Sequence, residues 1–541
     1  MYRDRVPESD EEKGLSRRQF IGRTGAGAAA VAVPGLLAAC GGSSHHSATT
    51  STTASTTAAT PRKGGHITVG IIGNGTAETF DPNLLNSPSD AHRCYCVFDP
   101  FTRPGPSFTT QPGLVETWTP NSDGTLWELK LREGVVWHDG KPFTADDIIY
   151  TFRRMAAPSS LGRGAVLNMK LRDLKKLGDH IVQVPLLAPN GRLQDAFVTL
   201  NSTFVVQDGA TDFTKPVGTG PFKLQSFTPG QTTVFTRNPD YWDDGKPYLD
   251  GQTMTDIADD NARLNALQSG QVDICTPLAF TLATSNQSNS AIKLLTAVGG
   301  PGQYIYMRVD TPPFNDVRVR QAMKLIADRP QLIATAFSGH GRVANDMPGP
   351  GLPDYDTSLP QRVQDIEQAK LLLKSAGRSD LRVTLQTAPV AEGIVEAATL
   401  YAQQAAKAGV TVNVKQDLPS SYFSPKLLYL KMPLAQDTWP TGSLSYIYET
   451  ILRSTSGANE THWHNAESDK LLTQAEGAVN PAQRQALWNK VQALQYNEGG
   501  NIIWASRLSV DALAPHVQGV NTKGWLYGLG DRNVWDWWVS A

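Results

Sequence analysis

From Gly64 onward the hydrophobic pattern switches repeatedly between a period near two and a period near 3.6. Such a chain is neither a helical bundle nor a pure β-sandwich. The stretch Ile67-Thr68-Val69-Gly70-Ile71-Ile72 reads as a short strand, whereas residues 144–155 and 316–327 place apolar side chains at helical spacing. Mixed α and β elements packed in large lobes follow. Further helices are expected over residues 365–376, stopped by Gly377, and 481–496, stopped by Gly499-Gly500. Thr144 precedes Asp146 and Asp147, so its hydroxyl suits a helix cap whose first turn is acidic. No internal repeat is evident.

The N-terminal region has a different character. Residues 1–23 hold six basic and five acidic side chains, followed by an uncharged run of 16 residues, 24–39, rich in Ala and Gly. That run is shorter than the roughly 20 apolar residues of a membrane span, and it fits the core of a cleaved export signal. Ser16-Arg17-Arg18-Gln19-Phe20-Ile21 resembles a twin-arginine export motif. Leu37-Ala38-Ala39-Cys40-Gly41 resembles a lipobox, which makes Cys40 the expected lipidation site and new N-terminus. The next segment, residues 43–61, is Ser or Thr at 12 of 19 positions and reads as a flexible tether. A coil of about 24 residues at roughly 5 to 6 Å × √n holds a folded body on the order of 25 to 30 Å from its anchor.

With 49 basic and 51 acidic residues the net charge is −2, and no nucleic acid or other polyanion partner is implied. Beyond Cys40 there are three cysteines, Cys94, Cys96 and Cys275, with no Cys-x-x-Cys spacing for zinc or thiol redox chemistry. Their redox state is left open by the sequence. The glycines of Gly218-Thr219-Gly220-Pro221 are expected to supply positive φ in a tight turn. Gly-x-Ser-x-Gly and His-Glu-x-x-His are absent, which argues against a secreted hydrolase.

Several segments, in order, carry a resemblance to a known family. They are Phe80-Asp81-Pro82, then Pro112-Gly113-Leu114-Val115-Glu116-Thr117-Trp118, then Asp123-Gly124. The densest is Leu131-Arg132-Glu133-Gly134-Val135-Val136-Trp137-His138-Asp139-Gly140-Lys141-Pro142-Phe143-Thr144-Ala145-Asp146-Asp147. Arg237-Asn238-Pro239-Asp240-Tyr241-Trp242, Ser269-Gly270-Gln271-Val272-Asp273-Ile274 and Pro313-Phe314-Asn315-Asp316-Val317-Arg318 continue the series. Together they resemble extracytoplasmic solute-binding protein family 5, the substrate-binding lipoproteins of peptide and nickel ABC importers.

The resemblance implies an α/β, two-lobed periplasmic-binding-protein fold of the large cluster C type, with a subdomain inserted in lobe I. The implied order is an export signal at 1–39, a tether at 40–63, lobe I at 64–107, the inserted subdomain at 108–187 and lobe I again at 188–303. Lobe II then spans 304–498, and residues 499–541 return to lobe I. It further implies a monomer, extracytoplasmic and lipid-anchored to the cell membrane, that captures a dipeptide or oligopeptide between the lobes and passes it to an ABC permease. Neither a cofactor nor a metal is expected. The alternative is a non-peptide solute: an oligosaccharide, an opine-like compound or a metal chelate.

In similar peptide binders a Trp-x-x-Asp-Tyr pattern clamps the ligand's amine. The matching stretch here retains Trp439 but places Gly442 where the Asp is expected. Trp439 is therefore a candidate pocket wall, followed by Tyr446, Arg453, Asn459 and Trp463, with Glu78 and Tyr95 as candidates from the opposite lobe. Arg308 is expected to pair with Asp310 or Asp316, and His462 and His464 to form a solvated loop pair.

Overall fold

The computed structural model describes residues 60–540, apart from 86, 106–107, 200–202, 425–430, 441 and 522–527. The signal-like segment, Cys40 and nearly all of the tether lie outside these residues. Two large mixed sheets dominate the described chain. The first has seven strands in the order Lys293–Ala297, Ser509–Leu513, Ile274–Thr276, His66–Ile71, Gly251–Asp256, Thr232–Arg237 and Phe222–Thr228. The second has six: Gly341–Val343, Asn501–Arg507, Gly302–Met307, Leu434–Trp439, Arg382–Thr387 and Thr411–Gln416.

A third, four-stranded antiparallel sheet is built wholly from residues 115–185 and contributes to neither large sheet. Its Trp127, Leu129 and Val182 pack against Ile148, Phe152 and Met155 of the helix Ala145–Met155. That helix starts where expected, and the Thr144 N–H donates to Asp147 Oδ2 at 2.8 Å. The helices Val317–Ile326 and Ile366–Ser375 are likewise opened by carboxylates, with Asp316 and Asp365 accepting the N–H of Arg318 and Gln368.

The chain crosses between the large sheets twice, side by side. Ala297 pairs with Ser509 in the first sheet, Gly302 pairs with Ser506 in the second, and the Arg507 N–H donates to Pro301 O at 2.9 Å. A two-stranded ribbon thus joins the lobes. The return to lobe I expected at residue 499 falls later, because Asn501–Arg507 is a central strand of the second sheet, flanked by Gly302–Met307 and Gly341–Val343. Its apolar run Ile502-Ile503-Trp504-Ala505 is buried on both faces, which only an interior position satisfies. The glycine pair at 499–500 ends a helix, not a lobe.

At the crossing, a Cβ added to Gly300 would overlap the Arg507 carbonyl oxygen. Gly300→Ala is therefore expected to cost about 1–3 kcal/mol by forcing the ribbon apart. Gly178→Ala, where a Cβ meets open space, serves as the control in thermal unfolding. Equal melting temperatures for the two variants would remove the tight-crossing argument.

Gly218 and Gly220 correct another expectation. Neither has positive φ; each instead lies against the Val97 carbonyl, where any side chain would collide. All three described cysteines are free and buried, and burial raises the pKa of each thiol.

Candidate functional site

In open α/β sheets the carboxyl ends of parallel strands line the ligand crevice. In the first sheet, His66–Ile71 runs parallel to Gly251–Asp256, and the chain beyond leads into Gly73, Asn74 and Glu78. Glu78 lies here, though it faces inward. Its Oε2 sits 2.6 Å from Arg93 Nη2 and accepts the Gly230 N–H at 2.9 Å, while Oε1 accepts the Asn74 N–H at 3.0 Å. Arg93 also pairs with Asp90 at 3.0 Å and lies 3.6 Å from Asp256.

Burial works against ionisation of Glu78, but the Arg93 hydrogen bond and the donors around it hold its carboxyl below the ordinary range. Burial pushes Asp256 the other way, up to about 7, aided by the adjacent Glu78. The cluster fixes the loop at the end of the first strand. Tyr95 is equally internal, with its ring edge-on to Phe204 at 4.8 Å in an apolar core.

In the second sheet, Arg382–Thr387 and Leu434–Trp439 are parallel, joined at Gln386 and Ala435. Trp439 ends the latter strand. It is 7% exposed, donates its indole N–H to Glu460 Oε2 at 3.1 Å and packs with Tyr304, Leu444 and Tyr448. Phe108 and Val198 share that apolar cluster, so Trp439 sits where the lobes meet.

The Tyr446 ring folds back over Gly442, where an added Cβ would strike the ring. Any side chain at residue 442 would therefore require the Tyr446 ring to move. Tyr446 also packs against the core of the 115–185 subdomain.

Arg453 is paired with Glu449 and lies 3.4 Å from Glu476, whose carboxyl is raised by burial and by Glu449. Asn459 Nδ2 donates to the Trp463 carbonyl at 3.0 Å, and both residues are buried. These five residues therefore share one region of the second lobe, and the side chains of Trp439, Arg453 and Asn459 are engaged internally. Arg308 pairs with Asp310, through Nη2 to Oδ2 at 2.6 Å, and not with Asp316, which is bound by Arg318. His462 Nδ1 lies 3.2 Å from Asp310, and His464 is exposed. Among the described residues, no group of three His, Cys, Asp or Glu is placed to hold a metal ion.

Sequence reasoning missed a second polar set on the opposite face of the same strands. Gln303 Nε2 donates to Thr438 Oγ1 at 2.9 Å, while Gln303 Oε1, Thr387 Oγ1 and both amide atoms of Gln436 are buried without a hydrogen-bond partner. At the end of the neighbouring strand Arg507 lies 4.0 Å from Glu392, whose Oε1 accepts the Phe280 N–H of the first lobe at 3.4 Å. The available signal was a polar residue on the apolar face of each strand: Thr387 in the period-two series after Val383 and Leu385, and Gln436 two residues after Leu434. Buried amides left unpaired cost about 1–3 kcal/mol each, so their concentration at one strand end marks a functional surface. On a separate flank the lobes also touch, where the Gly191 N–H donates to Glu476 O at 2.7 Å and Arg192 lies 4.0 Å from Asp354.

Among known proteins, the model for bacterial extracellular solute-binding proteins, family 5 (middle), matches residues 109–458. The oligopeptide-binding protein AppA of Bacillus subtilis strain 168 is 27% identical over 453 residues, covering 77% of this chain and 81% of that protein. Di/tripeptide-binding protein 2 of Pseudomonas aeruginosa strain UCBPP-PA14 is 26% identical, covering 84% of this chain and 92% of the relative. In structure, the ABC transporter substrate-binding protein CtaP of Listeria monocytogenes superimposes with a TM-score of 0.76 at 21% identity, over 89% of this chain and all of the other. The two-sheet body and a family match over well over half its length agree: this chain belongs to the family 5 bacterial extracellular solute-binding proteins.

Proposed function

We propose that the protein captures a dipeptide or oligopeptide in the crevice between its two large sheets and delivers it to an ABC permease. The observation that carries this reading is a body of two large mixed sheets linked by a paired two-stranded crossing, with the buried Thr387 hydroxyl and Gln436 amide left unpartnered near one strand end. Hydrogen-bonding groups without partners suit a ligand rich in amides. The relatives named for oligopeptides and for di- and tripeptides support the same class. Capture needs only a hinge motion, and a ligand that shifts the lobes from 1:99 to 99:1 must prefer the closed state by roughly 5.5 kcal/mol. No bond in the solute is made or broken.

Native mass spectrometry of the purified protein tests the ligand class. Bound masses matching short peptides are expected; one recurrent non-peptide mass would replace this reading. That second reading, a non-peptide polar solute, is favoured by one observation: where an amine-clamp aspartate is expected, Gly442 carries no carboxylate and the Tyr446 ring occupies the space of a Cβ.

The protein is exported through its twin-arginine-like signal and held on the cell membrane by acyl chains on Cys40, acting as a monomer. Two or more chains at about 0.8 kcal/mol per buried methylene give stable anchoring. No helix among the described residues is long and apolar enough to cross a membrane. Cys40→Ser is expected to abolish incorporation of a metabolic lipid label and to release the protein from the membrane fraction. Continued labelling would dismiss the anchor.

A further inference from the structure

We propose that Arg507 is the anion-recognition residue of the crevice, and that the bound solute presents a carboxylate to it. This rests on the reading that the solute lies between the lobes. A guanidinium has five donors, and an interior one is normally saturated. Arg93 is held by Glu78 and Asp90, Arg320 by the carbonyls of Phe314 and Glu498, and Arg329 by Asp346. Arg507 differs from all of these.

Among the described residues its guanidinium makes no hydrogen bond. Nε is buried without a partner, and the nearest acid, Glu392, stands 4.0 Å from Nη1, beyond hydrogen-bond reach. The side chain is nevertheless 29% exposed, so a solute can meet it. Burial lowers its pKa and Glu392 offsets this only in part, which leaves room for a second anion to be favourable.

The position is as telling as the chemistry. Arg507 is the last residue of its strand, and its own backbone donates to Pro301 and abuts Gly300 in the crossing ribbon. An anion gripped here acts on the hinge. Glu392 is 41% exposed and its link to Phe280 is a long 3.4 Å, so a carboxylate placed on Arg507 at ordinary hydrogen-bond distance displaces it.

The test uses the full chain in calorimetric titrations with three probes: trialanine, trialanine amide and succinate. The free acid is expected to bind wild type on the order of 10- to 100-fold more tightly than the amide. Arg507→Gln should bring the acid down to the affinity of the amide, Arg507→Lys should keep part of the difference, and Glu392→Gln should tighten the acid a few-fold. Should Arg507→Gln fail to fold, the acid-against-amide ratio in wild type and its change in Glu392→Gln still decide.

Equal binding of acid and amide to wild type, or undiminished acid binding by Arg507→Gln, overturns the assignment while leaving the peptide reading intact. Succinate binding that Arg507→Gln abolishes, with neither peptide bound, keeps Arg507 and overturns the peptide reading. Absence of binding by all three probes overturns both.

Discussion

Arg93→Met is expected to lower stability by about 3–5 kcal/mol, because the substitution strands three acids around one vacated cation. Arg93 is 1% exposed and contacts Glu78, Asp90, Asp256 and the Thr233 hydroxyl at once, with Phe227 beneath its guanidinium. Met fills the volume without the charge, so the loss is electrostatic rather than a cavity effect. For a folded body of this size a melting temperature lower by roughly 3–5 °C follows from the usual entropy of unfolding.

The penalty should deepen from pH 5 to pH 8, since protonation relieves repulsion among unpaired carboxylates. In the wild type the raised pKa of Asp256 acts in the same direction. The native state holds a proton that the unfolded state releases, so this group's contribution falls as the pH rises from about 4 to about 7. Thermal unfolding of Arg93→Met at both pH values, with Arg93→Met/Glu78→Gln as a partial rescue, is the measurement. A change below 1 kcal/mol at pH 8 would mean that water, not Arg93, solvates these acids.

Trp439→Ala is expected to destabilise the second lobe by about 3–5 kcal/mol. The indole fills the layer between Tyr304, Leu444 and Tyr448, and its N–H is a partner of buried Glu460. Removing it leaves both a void and a weakened carboxylate site. Phe108 and Val198 belong to the same cluster, so closure of the lobes should weaken with stability. Urea unfolding followed by tryptophan fluorescence reads the first effect, and small-angle scattering with and without ligand reads the second. If affinity fell while stability stayed unchanged, Trp439 would be a pocket wall, as its place in the sequence suggests, and the packing argument would fail.

The helices were legible because their signals are local. Asp316, Asp365 and Thr144 with Asp147 announce helix starts within three or four residues. The ordered motifs from Phe80 to Arg318 carried the family, since the turns and packing residues they encode recur in fixed order. The candidate site was only partly legible. Trp439, Tyr446, Arg453, Asn459 and Trp463 lie in one region of the second lobe, yet a residue type such as Trp or Arg serves a core or an ion pair as readily as a ligand, and here Glu460 takes the Trp439 indole N–H while Glu449 and Glu476 surround the Arg453 guanidinium. Gly218 and Gly220 were recognised as constrained, but the constraint is the Val97 carbonyl, more than 100 residues away in the chain.

By itself the sequence determined the α/β class, the helix caps, the family and the expectation of an exported, lipid-held chain, because each rests on contacts or signals within a short segment. Tertiary structure alone decided that residues 501–507 complete the second sheet, that Gly442 is closed by Tyr446, and that Arg507 emerges at the hinge with its donors unmet. The first and last of these depend on strands brought together across 100 to 200 residues of chain, and the second on how the turn after Trp439 folds back on itself. Whether a charge is saturated or free is then a property of the assembled neighbourhood, not of the residue that bears it.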